Sequence, residues 1–201
     1  MKKILVITTG GTIDALPYPN PQIHPLYSQF PFLGTSGVRR ALRQPDMALR
    51  ARDCVWVALP PRDSKHIDAA YRARMVRAIK LRGGKRVLIT HGTDTLLATA
   101  AYLRRARMLR WKTVILTGAM VPLTNGVASD GRQNLRYAAR CLARQGCLPP
   151  GIYLVLSDYV GPQPVWKPRL YRFVPGALEK HYDTDRADRS RLIAHDRRAL
   201  R

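Results

Sequence analysis

The chain is 201 residues long, 46% of them hydrophobic, with 35 Lys and Arg against 13 Asp and Glu and a formal net charge of +22. That length suits one sizeable α/β domain and is short for two. No apolar run approaches the roughly 18 residues that span a bilayer, and the 14 glycines and 15 prolines follow no period, which excludes collagen-like and low-complexity classes.

Residues 4–8 are a continuous apolar run ending in Thr8-Thr9-Gly10-Gly11-Thr12, the pattern of a buried strand. Met1-Lys2-Lys3 ahead of it looks like the start of a secretory signal. Four apolar residues are too few for a signal core, and the chain is expected to be cytoplasmic. Residues 15–34 hold Pro17, Pro19, Pro21, Pro25 and Pro31, which predicts a loop long enough to act as a lid. A short helix is expected over 38–43 and a second strand over 55–59, stopped by Pro60-Pro61. Residues 66–82 have helical periodicity through Ile67, Ala70, Met75 and Ile79, ended by Gly83-Gly84. A third strand over 87–90 leads into His91-Gly92-Thr93-Asp94-Thr95 and a helix over 96–109. A fourth strand over 114–117 precedes a helix over about 132–144, and a fifth strand covers 152–156. Beyond residue 157 the pattern decays, and 183–201 is expected to be a short helix or a frayed tail. Strands alternating with helices predict an α/β, doubly wound, mostly parallel sheet with helices on both faces, a three-layer sandwich.

Of the basic residues 27 are Arg and 8 are Lys, spread along the chain and often on polar helix faces. This reads as compositional drift toward Arg; nucleic-acid association is the alternative and is not favoured. Cys54, Cys141 and Cys147 are odd in number and form no CxxC, and the five histidines lack HxxxH or HExxH spacing. Neither a disulfide framework nor a zinc site is expected.

Ligands of an open parallel sheet bind at the carboxyl ends of its strands. Those ends carry Thr9-Gly10-Gly11-Thr12, Asp63-Ser64-Lys65, His91-Gly92-Thr93-Asp94-Thr95, Thr117-Gly118-Ala119-Met120 and Ser157-Asp158. The edge is rich in hydroxyls, glycines and acids. GxGxxG and GxxxxGK[ST] are both missing, which argues against a dinucleotide or P-loop site. Taken singly, Thr12, Thr93 and Thr95 read as helix N-caps. Spacing alone does not identify a reaction.

Together the segments Thr9-Gly10-Gly11-Thr12-Ile13, Ile89-Thr90-His91-Gly92-Thr93-Asp94-Thr95, Thr117-Gly118-Ala119-Met120, Ser129-Asp130-Gly131 and Asn134-Leu135 resemble the bacterial-type L-asparaginase family, in the family's order. The resemblance covers about residues 3–167. It implies an N-terminal catalytic domain over 1–182 and a charged tail over 183–201, with too little chain left for the family's smaller C-terminal domain. The family cleaves the side-chain amide of asparagine, and often glutamine, to the acid and ammonia without metal or cofactor.

Carried over by residue, the resemblance makes Thr12 the nucleophile. A hydroxyl needs a neighbouring base, and Tyr18 on the proline-rich loop is the choice, with Tyr27 the alternate. Thr93, Asp94 and a lysine, assigned to Lys167, form the second group. Asp94 would bind the α-ammonium and Ser64 the α-carboxylate. Gly11, Gly92 and the backbone of Ala119 would contact substrate, with backbone N–H groups near Thr12 and Thr93 as the oxyanion hole. The chain departs from the family pattern at Lys65, at Val121 where an Arg is usual, and in having Glu179 as its one Glu. Relatives assemble, so a homodimer or homotetramer is expected. A weakly active binder of small amino acids on the same fold is a further alternative. So is the amidase subunit of a tRNA-dependent amidotransferase, for whose extra domains the chain lacks room.

Overall fold

The computed structural model describes residues 3–16, 37–144, 146–160, 165–173 and 193–194. Within these, eleven regular elements alternate along the chain: β1 (Ile4–Gly10), α1 (Gly37–Ala41), β2 (Cys54–Arg62), α2 (Ala69–Arg82), β3 (Arg86–Thr90), α3 (Leu96–Arg105), β4 (Thr113–Thr117), α4 (Asp130–Ala143), β5 (Gly151–Val160), β6 (Val165–Arg172) and β7 (Ile193–Ala194). The strands form one sheet in the order β2-β1-β3-β4-β5-β6-β7. β1 to β5 run parallel, and β6 and β7 are antiparallel to their neighbours.

Strand side chains alternate between faces, and here each face has its own core. Leu5, Ile7, Val87, Ile89, Val114 and Leu116 pack against α2 and α3 through Met75, Ile79, Leu96, Ala100 and Leu103. Ile4, Val6, Leu88, Ile115 and Tyr153 pack against α1 and α4 through Val38, Leu135, Ala138 and Leu142. The expected three-layer α/β sandwich is therefore present. The strand order reverses at β1, which lies between β2 and β3. The chain leaves β1 toward the α1 face and leaves β3 toward the α3 face, so the two tips diverge. That point is where such sheets bind ligands.

Several boundaries differ from expectation. The helix over 96–109 ends at Arg105, because Ala106 turns extended (φ −74°, ψ 106°), and a separate turn covers Arg107–Leu109. β2 runs through Pro60 and Pro61. It is an edge strand, where prolines need not supply ladder donors, and Tyr71 Oη donates to Pro60 O at 2.7 Å. α2 starts at Ala69 because Asp68 caps it, accepting from Tyr71 N at 2.7 Å. α4 starts at Asp130, ahead of the expected position.

The largest correction is beyond residue 157. β5 continues to Val160, and Val165–Arg172 is a full antiparallel strand against it, from Tyr153↔Arg172 to Val160↔Val165. Ser157 and Asp158 lie inside β5 and not after it. Ile193–Ala194 adds a bridge to β6 in the segment expected to be helix or tail. The proline-rich loop lies outside the described residues except for its first two.

Candidate active site

Two glycines with left-handed backbone bring the chain out of β1: Gly10 (φ 86°) and Gly11 (φ 76°). Both are closely approached. A Cβ on Gly10 would lie 2.7 Å from Arg62 N, and one on Gly11 would lie 2.4 Å from Gly92 N and 2.5 Å from Gly92 Cα. Gly11 N donates to Arg62 O at 3.0 Å. The chain then makes a single turn, Thr12–Asp14, for which Gly11 is the cap residue. Thr12 thus opens the turn and does not cap it. Asp14 is buried and accepts from Val38 N at 3.2 Å, tying the turn to α1.

The β3 tip faces this turn. Gly92 is pinned between Gly11 and Ser64, whose Cβ would lie 2.7 Å from a Cβ at position 92. Ser64 is 2% exposed and hydrogen-bonds Asp94, and its carbonyl accepts from Thr95 Oγ1 at 2.6 Å. Thr95 is the α3 cap residue, but its hydroxyl spans to the turn that follows β2 and makes no cap bond. Thr93 Oγ1 donates weakly to Met120 Sδ at 3.6 Å. Gly118 packs against His91 O and Thr93 Cγ2. Ala119 and Ile13 both reach Gly131 at the start of α4. The tips of β1, β2, β3 and β4 therefore close on one another. Burial raises the Asp94 carboxyl pKa, while Lys65, 3.9 Å away, and the Ser64 hydroxyl pull it down.

Gly11, Thr12, Ser64, Gly92, Thr93, Asp94 and Ala119 thus come from four strand tips into one neighbourhood. Tyr18, Tyr27 and Glu179 lie outside the described residues. Lys167 is exposed on β6, paired with Asp158 in the ladder. Two strands separate it from β3, roughly 14 Å at about 4.8 Å per strand, and no ion pair holds it among the described residues. Among the same residues no group of three His, Cys, Asp or Glu could hold a metal ion.

Beneath the tips lies a polar layer to which sequence reasoning assigned no role. Asp130 is 2% exposed. Its carboxylate accepts from Met120 N at 3.0 Å and Val121 N at 2.8 Å, and from Asn134 Nδ2 at 3.3 Å. Asn134 Nδ2 also donates to Gly118 O at 3.0 Å, and Ser157 Oγ donates to Asn134 Oδ1 at 2.7 Å. These bonds fix the backbone of 118–121. Burial nevertheless outweighs the backbone donors and pushes the Asp130 pKa up to about 6. On the other face His91 is fully buried, with Nδ1 2.7 Å from Gly92 O and Nε2 2.9 Å from Thr99 Oγ1. Burial lowers its pKa to about 4.

Two predictions follow from this geometry. Gly11→Ala and Gly83→Ala both place a Cβ at positive φ, but nothing lies within 4 Å of Gly83. The Gly83 variant should lose only the ~1–3 kcal/mol that a side chain costs at φ 68°, ψ −146°, and Gly11→Ala clearly more, by urea titration. Equal losses would mean that the Gly11–Gly92 contact is loose.

The second concerns pH. Between about 6.5 and 4 the unfolded chain protonates the imidazole of His91 and the folded chain does not, so this group removes stability as pH falls. Asp130 acts oppositely: the folded chain takes its proton near 6 and the unfolded chain near 3.8, so this group adds stability as pH falls. Asp130→Asn removes the compensating trend. Its thermal midpoint should drop more steeply than wild type over that range, and an equal or shallower slope would contradict the opposed pair.

Comparison with known proteins identifies the family of the chain. Residues 3–163 match the family model described as "Asparaginase, N-terminal". The L-asparaginase of Thermococcus kodakarensis is 34% identical over 163 residues, which are 79% of this chain and 45% of that protein. The solved "thermostable L-asparaginase" of the same organism superposes with a TM-score of 0.56 at 29% identity, over 76% of this chain and 43% of that one. The solved "Probable Cytoplasmic L-asparaginase" of Campylobacter jejuni gives 0.59 at 25% identity, over 79% and 47%. The chain spans about half the length of these relatives. With the motif-bearing strand tips in contact and the match running through most of the described sheet, this chain belongs to the asparaginase N-terminal-domain family.

Proposed function

We propose that the protein is an amidohydrolase that cleaves the side-chain amide of L-asparagine, and of L-glutamine as a second substrate, to the acid and ammonia. The observation that carries this reading is the contact of Gly11 with Gly92 at the switch point of the sheet. It sets the turn bearing Thr12 beside the loop bearing Thr93 and Asp94. The likeness to L-asparaginases at 34% identity supports the same chemistry.

In this mechanism Thr12 Oγ1 attacks the amide carbon and its proton passes to a base, Tyr18 or Tyr27 of the proline-rich loop. The carbonyl oxygen becomes an oxyanion met by backbone N–H groups near Thr12 and Thr93. The C–N bond breaks as the base gives that proton to the leaving nitrogen, ammonia departs, and water then hydrolyses the threonyl ester to release aspartate and restore the Thr12 hydroxyl. Asp94 takes the α-ammonium, Ser64 the α-carboxylate, and Ala119 borders the amide through its backbone. Lys167 polarises Thr93 in this reading, which requires the β5–β6 end to fold over the β3 tip. No metal or cofactor takes part. The enzyme works as a homodimer or homotetramer in the cytoplasm, in keeping with the free thiols of Cys54, Cys141 and Cys147 and the name of the Campylobacter relative.

Replacing the nucleophile gives the direct test. Thr12→Ala should lower ammonia release from asparagine by ~10³-fold or more, with the thermal midpoint close to that of wild type. Retention of the wild-type rate would remove Thr12 from the chemistry.

One observation favours a second reading, binding of a polyanion. Arg132, Arg136 and Arg140 recur every four residues on α4 and line a groove of about 400 Å³ with Ser129, Gln133 and Tyr137. Asp46 is the acid paired with two of them, at 3.2 and 3.9 Å. If that face binds tRNA or duplex DNA, affinity should fall linearly in log–log form with salt, and Arg136→Glu with Arg140→Glu should flatten the slope. No binding at low salt would leave the arginines as a solvated helix face.

A further inference from the structure

A chain of hydrogen bonds, half-buried at its Arg72 end and fully buried beyond it, runs from α2 to the peptide at the centre of the β3 tip. Arg72 Nε donates to Thr99 Oγ1 at 3.0 Å. Thr99 Oγ1 lies 2.9 Å from His91 Nε2, and His91 Nδ1 lies 2.7 Å from Gly92 O. The carbonyl end and the neutral ring fix the direction of every bond. A carbonyl can only accept, so Nδ1 carries the ring hydrogen and gives it to Gly92 O. Burial keeps the imidazole neutral, which leaves Nε2 without a hydrogen. Nε2 therefore accepts from the Thr99 hydroxyl, whose lone pair receives Arg72 Nε–H. One neutral tautomer satisfies the whole chain.

This arrangement does more than fill the core. His91 and Thr99 are both fully buried, a place where leucine and valine would pack without polar partners. The atom held at the end of the chain is the carbonyl of Gly92, drawn toward the α2–α3 layer. The Gly92–Thr93 peptide is planar and trans, so the N–H of Thr93 points the opposite way, away from that layer. Among the described residues no backbone carbonyl accepts the Thr93 N–H. Gly92 itself is wedged between Gly11 and Ser64, so rotation of this one peptide is the freedom left for a clamp to remove.

We propose that Arg72, Thr99 and His91 are positioning residues that hold the Gly92–Thr93 peptide so that the Thr93 N–H is aimed at the oxyanion formed in amide cleavage. The proposal rests on the amidohydrolase reading and deepens it. None of the three need touch substrate; each acts through the next, and only the last bond reaches the tip. Loss of one pre-aimed donor of this kind lowers kcat by ~10²–10³-fold.

The test combines steady-state ammonia release from asparagine with ¹⁵N spectra of the histidine ring, on the full chain. His91→Leu should lower kcat by ~10²-fold or more, with KM changed by less than about threefold, since substrate binding in the ground state does not use the oxyanion donor. His91→Asn places an amide N–H where Nδ1–H stood, and should recover most of the loss. Thr99→Val and Arg72→Met keep the imidazole beside Gly92 O but release the tautomer, so that the carbonyl is paired in only part of the molecules; each should lower kcat by a smaller factor and mix the ring tautomers. If His91→Leu does not fold, Thr99→Val carries the comparison. An active wild type whose His91→Leu variant keeps its kcat overturns the proposal alone, as does equal loss in the Leu and Asn variants or an Nε2–H ring in the wild type. A folded wild type that releases no ammonia removes the amidohydrolase reading and this proposal with it.

Discussion

The site depends on two backbones touching. Gly11 and Gly92 stand where β1 and β3 separate, and no side chain fits between them. The contact is possible because both residues lack Cβ and because Gly11 adopts a positive-φ extended conformation (φ 76°, ψ 177°) that is nearly confined to glycine and costs other residues about 1–3 kcal/mol. Each glycine is followed by a threonine, so closing the backbones brings Thr12 and Thr93 onto adjacent segments without either side chain having to reach far. Ser64 completes the packing by lying against Gly92 from the β2 side.

Below that contact the fold keeps two polar groups in unusual states. His91 is neutral well below the ordinary imidazole range, and Asp130 holds its proton well above the ordinary carboxylate range. Both shifts have burial as the first cause, and both groups are fully hydrogen-bonded, which is what makes their burial tolerable. One grips the backbone of the β3 tip through Gly92 O, the other the backbone of the β4 tip through Met120 N and Val121 N. Two different chemistries on opposite faces of the sheet thus serve the same end, a fixed path for segments that would otherwise be free loops.

The exterior is governed by a different rule. Arginines crowd the outer faces of α2, α3 and α4, whereas the strand tips carry hydroxyls, glycines and acids. A field of this sign favours the approach of anionic groups such as carboxylates. Asp94, half-buried beside Ser64 and Lys65, supplies with the nearby Asp63 a point of opposite sign.

The amino-acid sequence by itself determined the alternation of strands and helices, the parallel sheet, and the polar strand ends where the site lies. Those features are written in local patterns: short, mostly apolar segments of four or five residues, helical periodicity, and glycines next to threonines. The motifs shared with asparaginases pointed to Thr12, Thr93, Asp94, Ser64, Gly11, Gly92 and Ala119. Only the tertiary structure decided the rest. β6 was hidden because its charged, proline-containing stretch becomes a strand through pairing with β5, a non-local event. The continuation of β2 through two prolines follows from its place at the sheet edge. The roles of Arg72, Thr99 and His91 could not be read either. Thr99 is eight residues from His91 and Arg72 nineteen, and the hydrogen bonds that join them exist only after α2 and α3 have packed on one face of the sheet. Spacing along a chain records which residues share a helix face or a strand edge; it does not record which separate elements come to share one buried polar contact.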